Sequence, residues 1–131
     1  MLFNKENILD INPIVFDASI AFKEIESQLI NSDKLQIHIL LRDFENAKKV
    51  KLLGFINLVT TPEIKAILKF SNIISQEIFL KDQRFKTNHF INEVIYDQDK
   101  SQLIIETAFT LQWTLNVSSD FIIELDTINN A

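Results

Sequence analysis

The sequence predicts an α+β domain, in which two main helices pack on a small antiparallel sheet with a C-terminal strand cluster. Two start signals, Asn12-Pro13 and Thr61-Pro62-Glu63, each precede apolar residues that recur at steps of three and four. From residue 88 onwards the apolar residues alternate with polar ones instead, as they do in strands. This change of period within one chain indicates that helices and strands are both present.

The first predicted helix begins at Asn12-Pro13 and ends near residues 31 to 33. Asparagine is a favoured N-cap, and proline at the first helical position gives up an N–H that would have no partner there. The expected apolar face consists of Ile14, Ala18, Ala21, Phe22, Ile25 and Leu29. Polar residues such as Lys23 and Glu24 would then face the solvent.

A strand is predicted over LQIHILL, because Leu35, Ile37 and Ile39 alternate with Gln36 and His38. The following stretch, RDFENAKK, is polar and typical of a loop. A short apolar run, LLGFINLV, then surrounds the only glycine of the chain.

The second predicted helix begins at Thr61-Pro62-Glu63, which places a cap, a proline and a first-turn acid in the favoured order. It continues through EIKAILKFSNIISQEIFL. Its broad apolar face would comprise Ile64, Ile67, Leu68, Ile74 and Ile78.

The remainder of the chain predicts a three-stranded antiparallel tail. The first strand covers residues 88 to 96, and Asp97-Gln98-Asp99-Lys100 forms a turn. In QLIIETAFTLQW, alternate apolar residues share one face of the second strand, and Phe121, Ile123 and Leu125 repeat this alternation in the third.

Composition limits the functions that the chain can have. Its 131 residues suit a single domain spanning 1–131, and the net charge of −5 without a basic block argues against nucleic acid as a partner. The absence of cysteine excludes thiolate metal sites and disulfides, and a single glycine argues against a phosphate-binding loop. No apolar run is long enough to span a membrane and no signal peptide is evident, so we expect a cytoplasmic bacterial protein without membrane insertion.

No group of residues has the spacing of a catalytic or metal site. His38 and His89 lie outside any known motif, and Asp97 and Asp99 are explained by the turn that they form. Glu24 and Glu26 are two residues apart and share no helix face. We therefore expect a protein that is not an enzyme, with no cofactor, no metal and no small-molecule substrate.

The C-terminal strand is a candidate binding edge. Its unpaired N–H and C=O groups would invite a partner strand around Phe121, Ile123 and Leu125. The alternative is that charge protects this edge, because the same segment contains Asp120, Glu124 and Asp126.

Three short stretches occur in the order found in a known family. They are Leu29-Ile30-Asn31-Ser32-Asp33, Gly54-Phe55-Ile56-Asn57-Leu58 and Asp82-Gln83-Arg84. With them the chain resembles the TssE-like small wedge proteins of contractile tails and type VI secretion systems. The family has Glu-Pro-Arg where this chain has Asp82-Gln83-Arg84, and an arginine where it has Asp33, so the roles of the proline and of that arginine are not carried over.

The resemblance implies a non-enzymatic structural component of the baseplate of a bacterial contractile secretion apparatus, linking wedge subunits to the sheath. Its partners would be other baseplate wedge proteins and sheath subunits. Asp82, Gln83 and Arg84 would form the turn that contacts neighbouring wedge subunits, and the C-terminal strand edge would contact the sheath. Two alternatives remain: a small acidic immunity or inhibitor protein that binds a toxin, and a small hydrolase built around His89 with Asp97 or Asp99.

Overall fold

Strands make up most of the chain in the computed structural model, which describes residues 1–26, 33–81, 88–108 and 110–128. The strands within these ranges are β1 Leu2–Phe3, β2 Ser19–Ala21, β3 Leu35–Arg42, β4 Lys48–Leu52, β5 Ile56–Thr60, β6 Glu63–Leu80, β7 Asn88–Asp97, β8 Gln102–Thr107 and β9 Leu111–Thr127. The helical elements within them are 3-10 turns at Ile8–Ile11 and Phe44–Asn46 and two short α-helices, α1 Asn12–Val15 and α2 Phe22–Glu26.

Six of these strands close into an antiparallel barrel in the order β9-β6-β3-β2-β7-β8, with β8 hydrogen-bonded back to β9. The short strand β1 adds to β9, where Leu2 lies opposite Glu124 and Phe3 opposite Ile123. Strands β4 and β5 form a separate two-stranded sheet between β3 and β6 in the chain. Closure leaves the barrel strands without long free edges, which are the parts of a sheet that most readily aggregate.

The prediction of two main helices on a small antiparallel sheet is wrong, because the protein is mostly β. The segment predicted as the second helix is the long strand β6. Its residues also satisfy a strand pattern, since Ala66, Leu68 and Phe70 are buried while Lys65 and Lys69 are not. Pairing with β3 on one side and β9 on the other favours the extended form, in which its many isoleucines also pack well.

The first predicted helix begins one residue before its expected first turn, with Ile11 rather than Asn12 at the N-cap, and it ends early. Helix α1 starts at Asn12 with Pro13 in its first turn and ends at Val15. Phe16 is extended and Asp17 has a left-handed backbone with φ 60°, so the chain leaves the helix at this point. The next residues, Ser19–Ala21, form β2 and complete the barrel between β3 and β7.

A bulge lets the two longest strands bend around the barrel. The register of β6 on β9 shifts on both sides of Ile73, and Asn72 has a left-handed φ of 64°. The Asn72 side-chain amide donates to the carbonyl oxygen of Asp120 at 2.9 Å, which links the bend to the opposite strand. Bulges of this kind increase local twist and allow a sheet to curve.

The barrel interior is mainly apolar. Trp113 is fully buried and packs edge-on against the Phe70 ring, with the two ring centroids 5.7 Å apart. Its indole N–H donates to the side-chain oxygen of Gln76 at 2.8 Å. Phe121 and Tyr96 form a second ring pair, with centroids 4.9 Å apart. None of the described helices is long and apolar enough to cross a lipid bilayer.

Candidate protein-binding surface

The β4–β5 hairpin, residues 48–60, lies apart from the barrel sheet. Lys48 pairs with Thr60 at its base and Leu52 pairs with Ile56 near its tip. Leu53 and Gly54 both have left-handed backbones, with φ of 55° and 78°. Consecutive left-handed residues produce a tight reversal that matches strand twist, and glycine adopts this conformation at little cost.

The hairpin has one apolar face and one basic face. Cross-strand partners share a face, so the pairing of Val50 with Leu58 places these two side chains together with Ile56 on the same side. On the other side Lys51 lies opposite Asn57, and Lys49 lies opposite Val59. We call these two sides the apolar face and the basic face of the hairpin.

Neither face is covered by the rest of the described chain. Leu53 and Phe55 at the tip are 77% and 76% exposed, and Val50, Ile56 and Leu58 are also exposed. Lys48, Lys49 and Lys51 are exposed as well, and none of them forms an ion pair with a described residue. The hairpin therefore presents apolar side chains and unpaired positive charge together.

The outer edges of the hairpin are also available. Within the described residues β4 hydrogen-bonds only with β5, and β5 only with β4. A two-stranded sheet of this size is marginally stable in water, and covering of its apolar face stabilises it. The same backbone groups that lack partners can pair with a strand from another molecule.

A second feature is a surface pocket of about 270 Å³ on the outside of β2, β3 and β6. Glu24 and His38 lie at this pocket with Lys65 and Asn88. The Glu24 carboxylate accepts hydrogen bonds from the His38 backbone N–H at 2.9 Å and lies 2.8 Å from the His38 Nδ1. The backbone hydrogen bond is the main reason that the pKa of Glu24 is lowered from its ordinary value.

The Glu24–His38 contact explains how α2 is attached to β3. No other described side chain hydrogen-bonds the His38 ring, and its side chain is well exposed. In a catalytic triad the histidine also hydrogen-bonds a nucleophile, and no described side chain takes that role at His38. Fastening the helix to the barrel is sufficient to account for the geometry.

His89 is buried inside the barrel and has a different environment. Its Nδ1 lies 2.7 Å from the Thr110 hydroxyl, which contacts the Thr107 hydroxyl at 3.0 Å. The other ring nitrogen, Nε2, is buried and has no hydrogen-bond partner among the described residues. Burial lowers the pKa of His89, because the charged imidazolium would lose its hydration.

The residues of the hydrolase alternative lie apart. His89 is near the start of β7, whereas Asp97 is its last residue and Asp99 follows in the turn. A separation of eight residues along a strand is roughly 26 Å, so His89 cannot share a reacting atom with Asp97. The described residues also contain no group of three or more side chains able to hold a metal ion.

The predicted interface residues fall in two places. Asp82, Gln83 and Arg84 lie outside the described residues. Phe121 and Ile123 are buried in the barrel core, as is Leu125. Around Ile123 the strand β9 is flanked by β6 and β1, so this stretch is not a free edge in the monomer.

At Ile123 the C-terminal strand is therefore not an exposed edge in this structure, because β1 and β6 both pair with β9 there. A contact of Phe121, Ile123 and Leu125 with a partner stays a prediction. It would require β9 to leave the core or to change its neighbours.

The sequence interpretation missed the β4–β5 hairpin. Two signals were present: lysines in alternation within KKVKL, and a glycine turn between two β-rich runs. Comparison with protein-family models, with curated proteins and with solved structures finds no match to this chain.

Proposed function

We propose that this protein is a non-enzymatic assembly component that binds another protein through the β4–β5 hairpin. The observation that carries the proposal is the apolar face of the hairpin, which no other strand among the described residues covers. Exposed apolar side chains that are grouped together, rather than scattered singly, mark interaction sites.

The tip of the hairpin has the chemistry of an interface anchor. Phe55 and Leu53 project from a tight turn and are more than three-quarters exposed. A large side chain of this kind contributes most when it enters a pocket on a partner that excludes water. Burying one such residue stabilises a complex by roughly 1.5–3 kcal/mol.

The specific assembly that we propose is the baseplate of a bacterial contractile secretion apparatus, with wedge and sheath proteins as partners. Support for this assembly comes from the three short sequence stretches alone. One of them, Gly54-Phe55-Ile56-Asn57-Leu58, lies in the hairpin turn and β5, and the other two fall wholly or mainly outside the described residues.

Site-specific photo-crosslinking in the native cells tests the proposal. A crosslinking amino acid at Phe55 should capture a defined protein, identified by mass spectrometry, whereas the same amino acid at Ile74 should not. Ile74 is a control because it is 65% exposed but lies on the barrel strand β6. Loss of the captured band in the variant Leu58→Asn would connect the contact with the apolar face.

The identity of the captured protein distinguishes a baseplate component from an immunity protein. Wedge or sheath proteins would support a baseplate role, and a toxin would support the immunity protein instead. Equal labelling at Phe55 and Ile74, or no adduct at Phe55, would contradict a binding role for the hairpin.

A further inference from the structure

We infer that the hairpin binds by strand addition at the β4 edge and that its partner segment alternates acidic and apolar residues. This inference rests on the proposed protein-binding role and adds the chemistry of the partner. It follows from the lysines of a five-residue strand, Lys48–Leu52, in a chain whose net charge is −5. Two of them, Lys49 and Lys51, share the basic face, and Lys48 lies on the face of Val50.

The side chains of β4 determine what a neighbouring strand must carry. Lys49 and Lys51 lie on one face of β4, and Val50 lies on the other. In an added strand, the residues opposite the two lysines would be acidic and the residue opposite Val50 would be apolar. Opposite charges at directly facing positions stabilise a strand pair by about 0.2–1 kcal/mol each, and like charges destabilise it.

The same lysines disfavour a second copy of the hairpin as the partner. Two β4 edges placed side by side would bring lysines from both copies together, and lysine on an edge strand is a common protection against such pairing. The strand β5 contains no charged residue, so its edge does not select a partner strand by charge. The charge pattern therefore assigns β4 to an acidic partner.

A lipid surface fits the hairpin less well. Lysines beside apolar side chains do attract anionic lipids. However, β4 and β5 each have an edge with no backbone partner among the described residues, and open sheet edges are not stable in hydrocarbon. The apolar face also runs along both strands from Val50 to Leu58, so a membrane that covered this face would bury the two unpaired edges in hydrocarbon. An added protein strand would instead pair with one of these edges.

Binding of synthetic peptides to the whole protein tests the inference. The probe is a short fluorescent peptide that alternates glutamate and valine, and the comparison peptides are its scrambled isomer and a version with lysine in place of glutamate. We expect the alternating peptide to bind, with fluorescence anisotropy as the readout, and binding to weaken as salt rises.

Charge reversal provides the decisive variant. Lys49→Glu/Lys51→Glu should weaken binding of the glutamate peptide by about tenfold or more and should allow the lysine peptide to bind. The matched control is Lys5→Glu/Lys100→Glu, which makes the same change in net charge at two exposed lysines outside the hairpin. This control should bind the glutamate peptide as the unmodified protein does.

Several results would overturn the inference. These are equal binding of the scrambled peptide, no binding of the alternating peptide, or equal weakening in the control variant. Binding to phosphatidylserine vesicles that depends on Lys49 and Lys51, without peptide binding, would assign the surface to lipid. A persisting crosslink at Phe55 alongside absent peptide binding would leave the proposed function intact and reject only the strand addition.

Discussion

The β6–β9 ladder and the β4–β5 hairpin are both antiparallel pairs with many apolar residues, but only the ladder buries them. In the ladder Leu68 and Phe70 of β6 face Leu125 and Ile123 of β9 inside the barrel. In the hairpin Val50 faces Leu58, and both are exposed. The same local pattern thus stabilises the fold in one region and remains available for contact in the other.

The largest effect is expected from shortening a core side chain in the ladder. Phe121→Ala removes a fully buried ring that packs on Tyr96, and the cavity should lower the free energy of unfolding by about 3–5 kcal/mol. Ile122→Ala is the control on the opposite face of the same strand, where the side chain is exposed. Urea unfolding followed by circular dichroism measures both, and similar losses would contradict the placement of Phe121 in the core.

A smaller loss of unfolding free energy is expected from changing Asn12, whose side chain hydrogen-bonds the backbone of Val94 as a neighbouring strand would. The Asn12 amide donates to the Val94 carbonyl oxygen at 3.1 Å and accepts from the Val94 N–H at 2.7 Å. Asn12→Ala leaves both groups of Val94 without this partner and should cost about 1–3 kcal/mol of unfolding free energy. Asn57→Ala, on the exposed hairpin, should change this free energy by less than about 0.5 kcal/mol.

The pH dependence of stability should reflect the buried His89. Since burial lowers its pKa from 6.5, the unfolded chain binds a proton below this pH before the native imidazole does. Stability should therefore fall as the pH drops below about 6.5, by at most about 1.4 kcal/mol per pH unit for one proton, until native His89 also becomes protonated.

Urea midpoints measured between pH 7 and pH 5 should isolate this effect, since Glu24 titrates below its ordinary value of 4.5. The lowered pKa of Glu24 adds stability that is lost only at more acidic pH. In His89→Gln the slope between pH 7 and pH 5 should flatten. An unchanged slope in this variant would assign the effect to another group.

The smallest change in stability is expected at the hairpin tip. Phe55→Ser removes a ring that is 76% exposed and packs on no core residue, so the free energy of unfolding should stay within about 0.5 kcal/mol of the unmodified protein. Thermal unfolding checks this value. A loss comparable with that of Phe121→Ala would mean that the hairpin contributes to the folded core, and the distinction between the two regions would fail.

The sequence allowed the alternating strands to be located more accurately than the helices. Residues 35–41 and 88–96 were predicted as strands and correspond to β3 and β7. The segment 63–80 satisfied both a helical spacing and an alternation, and the start signal at Thr61-Pro62-Glu63 favoured the helix. Periodicity could not decide between these two forms, because both place Ile64 and Leu68 on an apolar side.

The proposed binding surface could not be located from the sequence for a related reason. Phe121 and Phe55 are both aromatic residues in β-rich surroundings, and only their neighbours in space separate them. Phe121 lies on a strand with partners on both sides, whereas Phe55 lies at the tip of a hairpin with no covering layer among the described residues. The sequence therefore predicts the C-terminal strand as the edge, whereas among the described residues β4 and β5 are the strands with an unpaired side.

By itself, the sequence determined what is local: the alternation of β3 and β7, the Asn12-Pro13 helix start, the glycine turn and an apolar content sufficient for a core. Each of these depends on the period of side chains or on the backbone preference of one or two residues. Tertiary structure alone decided that β6 is extended, that β9 has neighbours on both sides at Ile123 and that no other described strand covers the hairpin. These outcomes depend on hydrogen bonds and packing between segments that are far apart in the chain. A local sequence pattern contains no information about such contacts.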